Sequence, residues 1–226
     1  MSEMRIEKLS CPECGAEGKI NLWNSVNVDL NPELRDKIFD NEFFLWECPF
    51  CGHKTYIPQS FIYHDMSHKF MLFFEFFDED VTDEEKYANI PFPKGMPGME
   101  DYTMRSVYGL LNLKEKIAIL ENGLNDIAVE RQKYMISHIT TPEIAEKGYK
   151  LLFGEVNKDE KDVSEYGTIY YFYEDEEKEQ TMFARFALDN YYEHCKAIEI
   201  DPRMKVTGCT CIDQGWMEKH LMTSKI

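Results

Sequence analysis

The chain has 226 residues, of which 43% are hydrophobic and 14% aromatic. This length and composition suit one large domain or two small ones with a real core, and they exclude a disordered tail. The net charge is −17, from 25 Lys and Arg against 42 Asp and Glu. Nucleic acids and anionic membrane surfaces attract clustered cations, so we expect neither as a partner.

The amino-terminal residues show no apolar stretch of signal-peptide length. No window approaches the roughly 20 apolar residues that a membrane-spanning helix needs. We therefore expect a cytoplasmic protein. In that reducing compartment, seven cysteines should be thiols or metal ligands and not disulfides.

Two near-identical cysteine motifs are the strongest signal in the chain. Cys11 and Cys14 belong to the first, Cys48 and Cys51 to the second, and each reads C-P-x-C-G. Proline after the first cysteine sets φ, and glycine after the second permits the positive φ that closes the turn. Two such loops facing each other offer four thiolates in a tetrahedron, which is the closed geometry of structural zinc.

Other chemistries use the same residue types. Soft thiolates also bind iron, either in iron–sulfur clusters or as a rubredoxin-like tetrathiolate, and a single C-x-x-C can be a redox dithiol. Ligand type favours zinc, and two matched copies argue against a redox enzyme, which needs one reactive pair. A tetrathiolate centre leaves no open position for water. We therefore predict one structural Zn²⁺ per chain, with no hydrolytic role.

The gap between the two motifs is longer than in ordinary zinc ribbons. Cys14 and Cys48 are separated by 33 residues, against about 15–20 in the usual spacing, so we expect an insertion. Even spacing of apolar residues predicts strands, and Asn31 before Pro32 predicts a capped helix start. The predicted elements are an extended segment 19–30, a helix 32–39, a strand 42–47 and further strands within 53–58 and 60–77.

The paired motifs, the stretch 25–38 between them and Phe61-Ile-Tyr-His-Asp65 after them resemble the CpXC domain. This is a bacterial family named for its cysteine motif, with no characterised function, and the resemblance covers roughly residues 6–130. It implies metal binding by the four motif cysteines and a bacterial, cytoplasmic setting, and it implies no reaction. The carboxy-terminal third, with Cys209-Thr-Cys211, carries no motif of the family.

Residues 78–101 are rich in acids and contain Pro91, Pro93 and Pro97. We interpret them as a solvated linker, and the alternative is a loop that carries function. From Tyr102 the apolar spacing becomes helical. Gly123 would end one helix and Asn125 or Asp126 would cap a second, with one long helix as the alternative.

The apolar stripe of residues 102–138 should pack in the core. A dimer seam is the alternative, which would make the chain a homo-oligomer through these helices. The remaining pattern predicts a small α+β unit. Its predicted elements are a helix from Thr141 to about 152, a hairpin of strands 168–173 and 181–186, a helix 189–196, a strand around 204–207 and a final helix 216–222.

The predicted fold class is α+β. A zinc-ribbon-like β domain with a helical insertion occupies 1–77, and an acidic Pro/Gly linker occupies 78–101. A helical segment followed by a small α+β unit occupies 102–226.

Further polar residues and cysteines are candidates for chemistry. His64, Asp65 and His68 are either a general base with its carboxylate, a second metal site, or plain polar residues of a strand and turn, which we favour. His53 could donate to a ligand sulfur. The three remaining cysteines are either buried free thiols, which we favour, or a second thiolate site. They are Cys195, Cys209 and Cys211.

The sequence thus predicts a zinc-stabilised cytoplasmic protein that binds or regulates a protein partner. No catalytic or cofactor-binding motif is recognised. The alternatives are a nucleic-acid-associated zinc ribbon, which the acidic charge disfavours, and an enzyme with a site near His64, Asp65 and His68.

Overall fold

A computed structural model of the chain describes residues 2–91, 99 and 101–222. These residues form a mixed α+β fold with seven α-helices and twelve strands. The strands are β1 (Glu3–Ser10), β2 (Glu17–Asn27), β3 (Leu45–Glu47), β4 (Lys54–Tyr56), β5 (Phe61–Asp65), β6 (Phe70–Glu75), β7 (Ile90–Pro91), β8 (Thr103–Tyr108), β9 (Leu152–Asn157), β10 (Thr168–Asp175), β11 (Gln180–Ala187) and β12 (Gly208–Cys209). The helices are α1 (Glu33–Phe39), α2 (Asp83–Lys86), α3 (Leu110–Glu121), α4 (Asp126–Met135), α5 (Glu143–Glu146), α6 (Leu188–Ile200) and α7 (Gln214–Met222).

The chain divides into two compact units. Unit 1 comprises Met1–Lys86 and Pro93–Lys114, and unit 2 comprises Tyr87–Phe92 and Glu115–Ile226. The division into independently folding domains at residues 77 and 102 stays a prediction. Within the described part of the chain, no helix is both long and apolar enough to cross a membrane.

Unit 1 is built on a five-stranded mixed sheet with the strand order β1-β2-β5-β6-β8. β1 pairs with β2 along its whole length, whereas β5 pairs with β2 only at Ser25, Val26 and Asn27. The amino-terminal two thirds of β2 therefore has a sheet partner on one side alone. The β1–β2 hairpin projects beyond the sheet and carries the first cysteine motif at its turn.

Aromatic side chains fill the core of unit 1. Phe61 and Tyr63 of β5 alternate with partly exposed residues, and Phe70 and Phe74 of β6 face the same side. This alternation follows from the two-residue period of a strand. Phe43 packs on Phe61 with ring centroids 4.9 Å apart. Each fully buried ring stabilises the fold by about 1.5–3 kcal/mol relative to exposure.

The insertion between the cysteine motifs contains a helix, as predicted, but its predicted cap is wrong. α1 begins at Glu33, and no side chain caps it. The Asn31 side chain donates to the Glu33 carboxylate at 3.4 Å. The Asn31 main-chain carbonyl accepts from the Leu34 N–H instead.

The predicted helix start at Tyr102 is also wrong. Thr103–Tyr108 is strand β8, which pairs in parallel with β6 from Phe70 opposite Thr103 to Glu75 opposite Tyr108. This pairing buries Met104 and Val107 against the core. The neighbouring strand therefore overrides the local helical pattern. α3 starts only after Gly109, whose φ is +80°.

The predicted joint between two helices is confirmed. Gly123 has a φ of +68°, and its N–H donates to the Leu120 carbonyl, which closes α3. Asn125 caps α4 because its side-chain oxygen accepts from the N–H groups of Ile127 and Ala128. A π-helical turn, Ile136–Thr140, extends α4.

Unit 2 contains a three-stranded antiparallel sheet, with the strand order β11-β10-β9. The predicted hairpin is confirmed as β10 and β11, which pair from Thr168 opposite Ala187 to Asp175 opposite Gln180. One apolar cluster joins the helices to this sheet. Its largest members include Ile119, Ile144, Leu151, Tyr171, Tyr191 and Trp216.

Three local predictions in unit 2 are wrong. The helix after Thr141 has no side-chain cap and ends at Glu146, because Gly148 adopts a φ of +70°. The residues from Leu152 then enter β9. The expected strand around 204–207 is a 3₁₀ turn, Pro202–Met204, followed by β12.

The segment predicted as a linker has regular structure in its described part. α2 lies within it, and β7 pairs with β12 through Ile90 opposite Cys209. Pro93, Pro97 and their neighbours at 92–98, with residue 100, lie outside the described residues.

Candidate metal centre

The first cysteine motif is the turn of the β1–β2 hairpin. The Cys11 N–H donates to the Ala16 carbonyl at 2.9 Å, and the Gly15 N–H donates back to the Cys11 carbonyl at 2.9 Å. Gly15 has a φ of +72°, a conformation that costs glycine little because it lacks a Cβ. The turn therefore forms from its own residues.

The second motif repeats this geometry at the turn between β3 and β4. The Cys48 N–H donates to the His53 carbonyl at 2.9 Å, the Gly52 N–H donates to the Cys48 carbonyl at 2.9 Å, and Gly52 has a φ of +72°. Two hairpin turns of the same shape thus carry the four motif cysteines.

The four sulfurs converge. Cys11 Sγ lies 3.7 Å from Cys51 Sγ, and Cys14 Sγ lies 3.7 Å from Cys48 Sγ. All four atoms lie within 4.8 Å of one another. A tetrahedron with Zn–S bonds of about 2.3 Å has sulfur–sulfur edges of about 3.8 Å. The cysteines are free thiols, and their spacing fits a tetrathiolate metal site.

One side of the cluster is buried. Cys11 and Cys48 pack with Trp46, and Leu9, Ile20 and Ile57 surround them, while Cys14 and Cys51 are exposed. The Trp46 indole N–H donates to the Lys19 carbonyl at 2.9 Å. A metal here would be shielded by an apolar wall on one face.

Trp46 and Gly18 are the supporting residues that sequence reasoning missed. A Cβ on Gly18 would lie 2.5 Å from the Trp46 ring, so only glycine admits the indole at this position. The position of Trp46 two residues before Cys48 could have indicated that the indole packs near the cysteines. No sequence pattern near Gly18 predicts its contact with Trp46.

Backbone amides also reach the sulfurs. Burial would raise the pKa of Cys48, but the amides of Cys51 and Phe50 outweigh it and lower that pKa to about 7. The His53 amide lowers the pKa of Cys51, yet burial and the neighbouring thiols raise it to about 12. Crowded thiols thus resist ionising together, and a bound divalent cation would supply the missing positive charge.

His53 contacts a motif sulfur through its backbone amide, and not through the ring that the sequence suggested. Its amide donates to Cys51, as the Ala16 amide does to Cys14. Each motif thus directs the amide two residues after its second cysteine to that cysteine's sulfur. This matched pattern would orient the thiolates towards one ion.

His64, Asp65 and His68 do not form one constellation. His64 and Asp65 are neighbours in β5, so their side chains point to opposite faces. His64 Nε2 lies 3.3 Å from the Tyr102 hydroxyl, and burial lowers its pKa. Asp65 instead binds His68 Nδ1 at 2.8 Å. This is a local contact across a turn, and an enzyme centred here stays a prediction.

The other three cysteines do not assemble. Cys195 lies half-buried on α6, while Cys209 and Cys211 are buried, and Cys211 Sγ donates to Asp213 at 3.5 Å. Within the described ranges, the four motif cysteines are the one group of histidines, cysteines or acids with metal-ligand spacing. A second thiolate site at Cys195, Cys209 and Cys211 has no counterpart among the described residues.

A groove of 280 Å³ lies in unit 1, and residues of β2, β3 and α1 line it, including Trp46, which also packs on Cys11 and Cys48. Two side chains in the groove make hydrogen bonds to the backbone of β2. The Trp46 indole N–H donates to the Lys19 carbonyl, and Gln59 Oε1 accepts from the Trp23 N–H at 2.8 Å. Alternate residues of a strand direct their backbone groups to the same side. The backbone of Asn21 therefore also faces the groove.

Comparison with curated proteins gives no match. Comparison with solved structures gives none either. A family model described as CpXC protein matches residues 9–133, which is more than half of the chain and includes both cysteine motifs. The chain therefore belongs to the CpXC family.

Proposed function

We propose that Cys11, Cys14, Cys48 and Cys51 hold one structural Zn²⁺ that ties two distant hairpins together. The observation that carries this proposal is the 3.7 Å spacing of the paired sulfurs, which is close to a zinc–thiolate tetrahedron. All four positions are taken by protein sulfurs, so the ion stabilises the fold and offers no site for water. In zinc-finger peptides such binding contributes about 10–16 kcal/mol.

The metal content of the purified full-length chain tests this proposal. We expect elemental analysis to give one zinc per chain and Co²⁺ exchange to produce the intense thiolate-to-metal absorption of a tetrahedral sulfur site. Iron in place of zinc, or two metals per chain, would contradict it. A folded chain without metal would do so as well.

The same hairpins shape a groove, and we infer that the protein is a binding module for an extended segment of a protein partner. The backbone N–H and C=O of Asn21 face this groove on the side of β2 opposite β1, where β2 has no strand partner at this position. An extended peptide can add to such an edge by main-chain hydrogen bonds. This mode needs no catalytic residue.

The walls of the groove determine what the peptide would carry. Trp23 and Trp46 supply apolar rings, and the lining also contains two lysines and two glutamates, Lys19, Lys37, Glu42 and Glu47. Balanced charge of this kind favours a peptide with alternating apolar and polar residues over a nucleic-acid strand, which would need an excess of cations.

Proline at Asn21 tests this mode sharply. It removes the N–H that faces the groove and leaves the β1 ladder in place, because the neighbouring residues make that ladder. A displayed library of short unstructured peptides serves as the probe. We expect selected peptides to bind the natural chain and Asn21→Ala, and to lose binding to Asn21→Pro. Failure to enrich any peptide, or equal binding to both variants, contradicts the strand-addition mode.

A further inference from the structure

Unit 2 contains a cavity of 160 Å³ that takes no part in the metal centre. It lies between the carboxy-terminal end of α4, with the turn that follows, and α6. Its lining combines apolar and polar side chains: Gln132, Met135, Ile136, Phe186, Asn190 and His194. A cavity of this size holds a molecule about as large as benzene.

Gln132 is a lining residue of this cavity, and its side-chain amide is held in one orientation. Gln132 is 2% exposed, and its Oε1 accepts from the Tyr171 hydroxyl at 2.6 Å. Tyr171 is fully buried, and its hydroxyl needs Gln132 Oε1 as an acceptor. Exchanging the oxygen and nitrogen of the Gln132 amide would break this hydrogen bond, so the amide orientation is fixed. Gln132 Nε2 then has no hydrogen-bond partner among the described residues. A buried donor left unpaired destabilises a fold unless something fills its place.

His194 provides a second donor. Arg131 contacts its Nδ1, and a guanidinium can only donate, so Nδ1 accepts and the ring proton sits on Nε2. Burial, and then the Arg131 charge, lower the pKa of His194 to about 4, which keeps the ring neutral at pH 7. Two N–H donors therefore belong to residues that line one cavity together with the apolar side chains of Met135, Ile136 and Phe186.

We propose that this cavity binds a small molecule with a carbonyl-type oxygen, either an amide or a carboxylate, on a short apolar body. The oxygen accepts from Gln132 Nε2 and His194 Nε2, and the body contacts Met135, Ile136 and Phe186. The cavity size limits the ligand to about six to eight non-hydrogen atoms. Glu193 also lines the cavity and pairs with Lys196 at 2.7 Å. The Glu193 carboxylate would accept a hydrogen bond from the N–H of an amide ligand, but it would repel a carboxylate ligand. The two ligand types should therefore differ in affinity.

Titration of butyramide and of butyrate into the isotope-labelled full-length chain tests the proposal. We expect saturable shifts of the Gln132 side-chain amide and the His194 ring nitrogens with at least one of these probes. Binding of butyramide alone identifies an amide ligand, and binding of butyrate alone identifies a carboxylate. n-Butylamine, which has no oxygen acceptor, should leave the signals unchanged. No saturable shift with either oxygen-bearing probe overturns the proposal.

Matched variants of His194 separate a binding role from a packing role. His194→Gln retains a donor near the position of Nε2, whereas His194→Leu removes it. We expect the leucine variant to weaken binding about tenfold or more, while the glutamine variant stays within about threefold. Circular dichroism and thermal melting check that both variants fold. Unchanged binding in folded His194→Leu overturns the proposal.

Filling the cavity gives an independent test. Met135→Phe adds bulk to the wall and leaves Gln132 and His194 in place, so it should abolish the probe shifts. Persistence of these shifts in the filled variant would place the probe elsewhere and overturn the assignment of the cavity.

Discussion

Cys11 and Cys51 place their sulfur atoms 3.7 Å apart although they lie 40 positions apart in the sequence. The second close pair, Cys14 and Cys48, lies inside the first in the sequence, so each hairpin turn contacts the other through both of its cysteines. Loss of any one sulfur should therefore loosen both turns. This double contact makes the cluster sensitive to single substitutions.

Cys48→Ser should lose the metal and the local structure together, because a serine hydroxyl is a poor zinc ligand and the buried side of the cluster opens. Metal-to-protein ratio and amide hydrogen exchange of residues 11–16 and 48–53 measure both effects. Cys195→Ser, a half-buried thiol outside the centre, is the matched control. Metal-free Cys48→Ser with fully protected hairpins would refute the structural role of the ion.

Gly18→Ala should destabilise the centre through Trp46. The added Cβ would lie 2.5 Å from the indole, and the ring must move away from Cys11 and Cys48. Overpacking of this kind costs about 1–3 kcal/mol. Chemical denaturation and the rate of zinc transfer to a chelator measure the change. Glu17→Ala, at the exposed neighbouring position, should behave as the natural chain, and equal stability of the two variants would contradict the packing account.

Asp175 should contribute a stability that disappears in acid. A hydrogen bond from Lys178, and then one from the Tyr149 hydroxyl, lower its pKa from 3.8 to about 2. The folded chain holds the proton less tightly than the unfolded chain. The stabilisation is therefore complete above pH 3.8 and is lost as the pH falls through about 2.

Asp175→Asn should remove this dependence, so the difference in unfolding free energy between the variant and the natural chain narrows from pH 5 to pH 2. Denaturant titrations at a series of pH values measure it. Glu176→Gln, in the exposed turn beside it, should leave the slope unchanged. A constant difference across this range would contradict the linkage.

Lys133 should be essential to the buried charges of unit 2. Its ammonium lies 2.7 Å from Glu115 and 3.1 Å from Glu130, and all three residues are buried. Lys133→Met removes the ammonium that contacts both buried carboxylates, which costs about 3–5 kcal/mol. Lys196→Met removes an exposed pair with Glu193 and should cost less than about 1 kcal/mol. Similar unfolding free energies of the two variants would contradict this contrast.

Glu130→Gln should flatten the pH dependence of stability near neutrality. Burial raises the pKa of Glu130 from 4.5 to about 7, although the Lys133 charge opposes the shift. This carboxyl holds its proton more tightly in the folded chain than in the unfolded chain. The free energy of unfolding therefore falls as the pH rises from 4.5 to about 7. The variant should therefore gain stability relative to the natural chain between pH 5 and pH 8. A falling or constant difference in thermal melting temperature would contradict this sign.

Local signals predicted local structure well. Gly123 closes α3 and Asn125 caps α4, because glycine tolerates a positive φ and an asparagine oxygen reaches the next free N–H groups. The two C-P-x-C-G motifs form matched turns for the same reason. Each of these features involves hydrogen bonds between residues only a few positions apart.

Predictions failed where a distant segment decides the backbone. Thr103–Tyr108 has a plausible helical spacing, yet it is a strand because β6 offers a parallel partner. The short strand Gly208–Cys209 exists only through its pairing with β7. Next to this pairing, the Asn89 side chain donates to the Thr207 hydroxyl, and these two residues lie 118 positions apart in the sequence. Such pairings leave little trace in a single segment of sequence.

The sequence by itself determined which four cysteines form the candidate metal centre and the shape of their turns, because proline, glycine and cysteine at fixed spacing constrain a short backbone directly. Only the tertiary structure decided that Trp46 rests on Gly18, that Asn21 faces a groove, and that Gln132 and His194 line one cavity. Those relationships join side chains from separate elements. They follow from strand pairing and helix packing, whose energies sum over many distant contacts.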